Sequence, residues 1–264
     1  MVEEIEDNES SAVNPKDQVH EDTQDAGSVV FPAELERYAS RQDGEMHLEM
    51  SDQSVPLTTM SVLGNYMSLL NAPVVRLSLS RNCLGADGAE LLGKALVTNN
   101  TLEVLELDDC GLVGSPYRPE FEGIMSLAKG IQSVRSNLRH LSLAHNGLLP
   151  NGCRILLGAL TLHPTLTSLD ISDNLLSVFD DKQGYLALSY VLQYSKQLSR
   201  LVMGENPLPK GAWDVLMAGF ATNSSLTSLD IRRCGITRDQ FDELLLAQPE
   251  SANSALTELL CDDA

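Results

Sequence analysis

The side chains best able to do chemistry in this chain are five histidines, five cysteines and 37 carboxylates, and their spacing argues against catalysis. No serine sits in a Gly-x-Ser-x-Gly elbow, no His-Glu-x-x-His pair offers two imidazoles to a metal, and no glycine-rich loop follows a strand to cradle phosphate. His140 and His145 are expected on a sheet face and in the turn after it, solvated and with no second ligand at metal spacing. Cys83, Cys110, Cys153, Cys234 and Cys261 are odd in number and include no Cys-x-x-Cys pair, so they read as reduced and structural. No metal or cofactor is expected.

What recurs is a set of charged residues at fixed places between leucines. The stretch Leu166 to Leu176 has the pattern L-x-x-L-x-L-x-x-N-x-L, and it returns with small substitutions along the chain. Counted from its first core leucine, the pattern advances 28 residues from Leu77 to Leu105, 36 to Leu141, 28 to Leu169, 32 to Leu201 and 28 to Leu229. In a strand, alternate side chains face opposite ways, so the residues between the leucines share the face turned from the core. Their central column reads Ser78, Glu106, Ser142, Asp170, Val202, Asp230 and Leu260. Asp108, His140, Arg200 and Arg232 flank it, with Asp109, Asp173 and Glu205 in the turns. Glu106, Asp108, His140, Asp170, Asp173, Arg200, Asp230 and Arg232 are thus the candidate contacts of an acidic cradle for a basic or mixed-charge protein surface. The same carboxylates would also keep an open sheet soluble.

The elements that must position these residues follow from the period. Twenty-eight residues accommodate a strand, a turn, a helix of about three turns and a return loop. Ala89, Leu92, Leu96 and Leu102 fall on one helical face, as do Ile155, Leu156, Ala159 and Leu160, so helices should pack outside a parallel sheet. The Asn of each turn is placed to hydrogen-bond backbone left unpaired at the strand end, and Cys110 and Cys234 occupy that place in their repeats. The two long steps insert Val113 to Phe121 and Ser177 to Gly184 between turn and helix, on one rim. Tyr117, Arg118, Phe121, Phe179 and Asp180 are the contact candidates there, although loops of this kind also tolerate insertion cheaply.

The helical line Ala89-x-x-Leu92-x-x-Ala95-Leu96-x-x-Asn99-x-x-Leu102 resembles leucine-rich repeats of the ribonuclease-inhibitor type, and the likeness runs over about residues 46–261. It implies an α/β solenoid, a leucine-rich repeat horseshoe with a parallel β-sheet on the concave face and α-helices on the convex face. It also implies protein binding through the concave face. The expected organisation is a disordered acidic tail over 1–27, a linker with a short helix and capping strand over 28–56, and the solenoid over 57–264.

Residues 1–56 carry 15 acids and three bases, and the rest 22 acids and 15 bases. That balance disfavours nucleic acid and anionic membrane as partners. With no signal-peptide pattern at Met1 and no span-length apolar run, the expected compartment is the cytoplasm, with the nucleus or cytoskeleton as alternatives. Val29 and Phe31, in Val29-Val30-Phe31-Pro32, resemble the docking motif of type 1 protein phosphatase regulators, some of which place it before leucine-rich repeats. That resemblance implies this phosphatase as a partner. The alternative is that Val29 and Phe31 staple the helix expected at Ala33–Tyr38 onto the first repeat. The leading expectation is a non-enzymatic protein-binding scaffold. The alternatives are a regulator of an enzyme, through the phosphatase motif or a resemblance to Ran GTPase-activating proteins, and a structural subunit of a ciliary or cytoskeletal assembly.

Overall fold

The computed structural model describes residues 30–69, 72–115, 117–247 and 256–262. The expected tail over 1–27 and Val29 lie outside them. A 3-10 turn at Ala33–Tyr38 is followed by strands β1 (Ala39–Gln42) and β2 (Glu45–Glu49) and helix α1 (Leu57–Met67). Strand–helix units then alternate: β3 (Val74–Ser78) with α2 (Gly85–Leu96), β4 (Val104–Glu106) with α3 (Glu122–Ile131), and β7 (His140–Ser142) with α4 (Leu149–Leu160). Between β4 and α3 lies a short hairpin, β5 (Gly114–Ser115) and β6 (Arg118–Pro119). The series continues with β8 (Ser168–Asp170) and α5 (Gln183–Tyr194), β9 (Arg200–Val202) and α6 (Ala212–Phe220), then β10 (Ser228–Asp230) and α7 (Arg238–Leu246). Strand β11 (Glu258–Leu260) is the last described element.

One nine-stranded sheet runs in the order β1-β2-β3-β4-β7-β8-β9-β10-β11, parallel throughout except for the antiparallel β1–β2 pair. Its register puts the first core leucine of each repeat beside the next, from Leu48 through Leu77, Leu105, Leu141, Leu169 and Leu201 to Leu229 and Leu259. The second apolar position, Leu79, Leu107, Leu143, Ile171, Met203 and Ile231, is buried in each case. Burying such a side chain stabilises by about 1.5–3 kcal/mol, so the repeated leucines are the main source of cohesion between units. An α/β solenoid of strands alternating with helices is therefore the fold, as the periodicity implies.

Two details differ from the expectation. The helix expected at Ala33–Tyr38 is a 3-10 turn, with Pro32 as its N-cap. Strand β1 was not foreseen, because Ala39-Ser-Arg-Gln42 lacks any apolar alternation. Its turn, Asp43-Gly44, carries φ of 53° and 88°, the mirror-image turn that joins antiparallel strands, and this dipeptide is the signal that could have found it.

Helices α2 and α3 approach closely because glycines face one another across them. A Cβ on Gly93 would overlap the Ser126–Leu127 backbone, and one on Gly123 would overlap the Ala86 carbonyl.

Candidate functional site

Strands β3, β4, β7, β8, β9 and β10 each end in a turn whose Asn or Cys is buried and bonded into the preceding repeat. Asn146 donates to the Leu107 and Leu143 carbonyls at 2.8 and 2.9 Å and accepts from the amide of Cys110 at 3.0 Å. Asn174 repeats this with Leu143 O at 2.8 Å and the Asn146 amide at 3.2 Å, and Asn206 with Ile171 O at 3.0 Å and the Asn174 amide at 3.0 Å. The thiols of Cys110 and Cys234 point at the matching carbonyls, Leu79 O at 3.2 Å and Met203 O at 3.3 Å. Burial raises the Cys110 thiol to about 12, so it stays protonated and can donate.

The residue before each ladder position adopts left-handed backbone: Asp52, Arg81, Asp109, His145, Asp173, Glu205 and Arg233 have φ between 48° and 58°. Every one is charged or imidazole-bearing, so the ladder holds a charged column at the strand ends. Of this column Asp109, His145, Asp173 and Glu205 had been placed in the turns from sequence. The rest were readable too, as each directly precedes a ladder residue.

Within the expected acidic cradle, several charges are paired. Glu106 meets Arg76 at 2.5 Å, Asp230 meets Arg232 at 2.5 Å, Arg200 meets Glu258 at 3.2 Å and Asp173 meets His145 at 2.9 Å. Asp108 accepts from the Ser142 hydroxyl and, at 3.0 Å, from the Ala144 amide, so it braces neighbouring strands. Hydrogen bonds from Arg232 hold Asp230 below the usual carboxylate range against the opposing effect of burial. Asp170 differs. Burial raises its pKa, and one oxygen takes both the amide and the hydroxyl of Ser172, at 2.9 and 2.7 Å. Strands side by side bring residues about 28 apart within reach, and so Glu106 meets an arginine one repeat away, whereas Asp230 is matched within its own repeat and Asp108 and Asp170 are held by hydroxyls and amides.

Asp170, Asp230, Arg232, Ser172 and Val202 are among the walls of a hollow of about 410 Å³ on the sheet face turned from the core. His145 lines it too and also lines a second hollow of about 340 Å³ at the strand ends, where Val113, Gly147, Asp173 and Leu175 meet.

The histidines are less solvated than expected. His140 is half-buried, and burial lowers its pKa. His163 is 5% exposed, with Nδ1 accepting from the amides of Thr165 and Leu166 at 3.4 and 3.2 Å. It occupies the place at the helix ends that Asn99 and Asn223 hold in other repeats, where their Oδ1 atoms accept the equivalent amides. His145 remains half-exposed, and the hydrogen bond to Asp173 raises its pKa.

Of the loop candidates, Tyr117 and Phe179 are 93% and 100% exposed, and Arg118 and Asp180 are exposed as well. Phe121 is half-buried against the core beside Gly152, where it precedes α3. Phe31 is also half-buried, its ring edge-on to Tyr66 at 5.2 Å and 86°. For Phe31 that is the staple arrangement.

All five cysteines are unpaired. Among the described residues, no group of three metal-binding side chains converges, and no helix is long and apolar enough to cross a membrane.

The sequence model of the family described as Leucine Rich repeat matches residues 71–93 and 222–239. The chain is 27% identical over 70% of its length to "NACHT, LRR and PYD domains-containing protein 14" of Mus musculus, and 30% identical over 72% to "NACHT, LRR and PYD domains-containing protein 5" of Homo sapiens. It is 28% identical over 51% of its length to "Ribonuclease inhibitor" of Sus scrofa. The chain spans 18%, 15% and 40% of those proteins respectively.

Proposed function

From the premise that the chain is a leucine-rich repeat protein of the ribonuclease-inhibitor type, we propose that it is a non-enzymatic scaffold that binds another protein through the open sheet face and the adjoining strand-end loops. The observation that carries this reading is the pair of hollows joined at His145, one on the face and one at the strand ends. Around them charged side chains are fixed by neighbours, so a partner meets groups whose orientation entropy is already lost. The name of the pig relative, an inhibitor of a ribonuclease, supports a protein partner for this chain as well.

A basic or mixed-charge partner surface suits the face. Four carboxylates of the larger hollow, Asp170, Glu205, Asp230 and Asp262, stand against the two guanidiniums of Arg232 and Arg233. We place the protein in the cytoplasm, where five unpaired thiols persist. Phosphatase docking through Val29 and Phe31 gains no support, since Phe31 is already seated on Tyr66.

The test is affinity purification of the full chain from cell extract with crosslinking and site mapping, repeated for Asp170→Lys. Crosslinks should fall on β7 to β10 and the strand-end loops, and the variant should lose partner in a salt-dependent manner. Crosslinks confined to the helices, with Asp170→Lys capturing normally, would overturn the reading.

A further inference from the structure

The loop between β8 and α5 holds apolar side chains outward at a conformational cost. Leu175 and Phe179 have φ of 56° and 50°, a backbone region that favours glycine. The equivalent of Leu175 one repeat earlier is Gly147 and in the last repeat Gly235, both with positive φ, so the fold accepts glycine at this place. Leu175 is nevertheless 38% exposed and Phe179 fully exposed. Neither side chain is buried by the strain that displays it. Strained backbone that displays unburied apolar groups is characteristic of a binding surface.

The surroundings complete a surface. Leu175 lines the hollow of about 340 Å³ together with Gly114 and the buried Val113 of the first inserted loop. That first loop ends in the hairpin of β5 and β6, where Tyr117 stands 93% exposed. Two inserted loops, with one repeat between them, thus lie at this end of the sheet, each with an exposed aromatic. The nearby charges are mainly negative: Asp109, Asp173 and Asp180 against Arg118, while Lys182 extends towards Gly211.

We infer that this strand-end groove is the docking place for an extended segment of a partner protein that carries an apolar side chain flanked by basic residues. The apolar side chain packs on Leu175, Tyr117 and Phe179 close over it, and the basic neighbours meet the exposed Asp109 and Asp180. This deepens the proposed scaffold function by naming the partner's chemistry, and it rests on that reading.

The probes are three nine-residue amidated peptides, of alternating Lys and Leu, Glu and Leu, and Lys and Ser, titrated into the full isotope-labelled chain by amide NMR. The Lys/Leu peptide should shift the amides of Gly147, Leu175 and Phe179, and the other two should not. Phe179→Ser and Leu175→Gly should each weaken it about tenfold or more, the order expected for a central apolar contact. Leu175→Gly should also raise the unfolding midpoint, which separates lost binding from lost folding. Equal binding of the Glu/Leu peptide, shifts confined to the sheet face, or unchanged affinity in both variants would overturn the inference. If partner crosslinks still map to the sheet face in that event, the scaffold reading stands alone. If crosslinks avoid both surfaces while the peptide seats in the groove, it is the broader reading that fails.

Discussion

Replacing Asn174 tests how the repeats are held together. The residue is fully buried, and its four hydrogen bonds are not equivalent. On the donor side, Leu143 O also receives Asn146 Nδ2 at 2.9 Å and Ser172 O receives the His145 amide at 2.9 Å, so both carbonyls keep a partner after truncation. On the acceptor side, Asn174 Oδ1 takes the amides of Asn146 at 3.2 Å and Leu148 at 3.4 Å. Asn174→Ala orphans both. At about 1–3 kcal/mol for each buried unpaired group, with the longer bond at the low end, the expected loss is about 2–4 kcal/mol.

Cysteine separates the two halves of the bond set. At Cys110 and Cys234 the turn before the thiol is wired differently: Leu84 N bonds Asn82 O at 2.8 Å and Leu208 N bonds Cys234 O at 3.0 Å, so no strong side-chain acceptor is needed there. Asn174→Cys should therefore cost about 1–2 kcal/mol, since its sulfur is only a weak acceptor for the Asn146 amide. The assay is urea unfolding followed by circular dichroism and by fluorescence of Trp213, the chain's single tryptophan, which is buried and donates to Glu243 at 2.7 Å. In a repeat array the two signals should separate in the alanine variant, because an interface between neighbouring units has been weakened. An alanine cost under about 1 kcal/mol, or equal costs for Ala and Cys, would refute this account of the ladder.

Three further outcomes are expected. Protonating His163 would point a hydrogen at the Thr165 and Leu166 amides, and burial already lowers its pKa from 6.5, so its contribution is full above pH 6.5 and is lost as pH falls through the lowered folded value. His163→Asn should flatten that part of the stability–pH curve in urea titrations, leaving the slope of the same sign from His140. Gly123→Ala should cost about 1–3 kcal/mol in the urea midpoint, because the new Cβ overlaps the Ala86 backbone of the neighbouring helix. Phe31→Ala should lower stability by about 1–2 kcal/mol through the lost edge contact with Tyr66, and phosphatase recovery from extract should not change; a stable variant that loses phosphatase would restore the docking reading.

The solenoid was legible because its determinants are local and repeated. Leu169, Ile171, Asn174 and Leu176 each have a fixed offset, and recurrence at about 28 residues turns one ambiguous strand into a register. Even the two cysteines in place of asparagine could be read, since position and burial left the thiol one role. What could not be read is pairing across repeats. Arg76 and Glu106 are 30 residues apart in sequence, and only the register of β3 against β4 brings them to 2.5 Å. A column of carboxylates therefore looked uniformly open when Glu106 and Asp230 were each already matched by an arginine.

The same cause hid His163, whose polar side chain gives no sign that two backbone amides face it at a helix end. Exposure in the inserted loops was also only half legible. Phe121 and Phe179 have the same residue type and comparable loop positions, yet one seats beside Gly152 and the other stands in solvent. The difference lies in the neighbouring repeat, where a glycine leaves room for the first ring. Sequence periodicity thus fixes which residues build the scaffold, while the residues left for recognition are those whose neighbours one repeat away neither pair nor cover them. By that criterion the candidates narrow from the whole sheet face to Asp170, with one carboxylate oxygen still uncommitted, and to Leu175, Phe179 and Tyr117 at the strand ends.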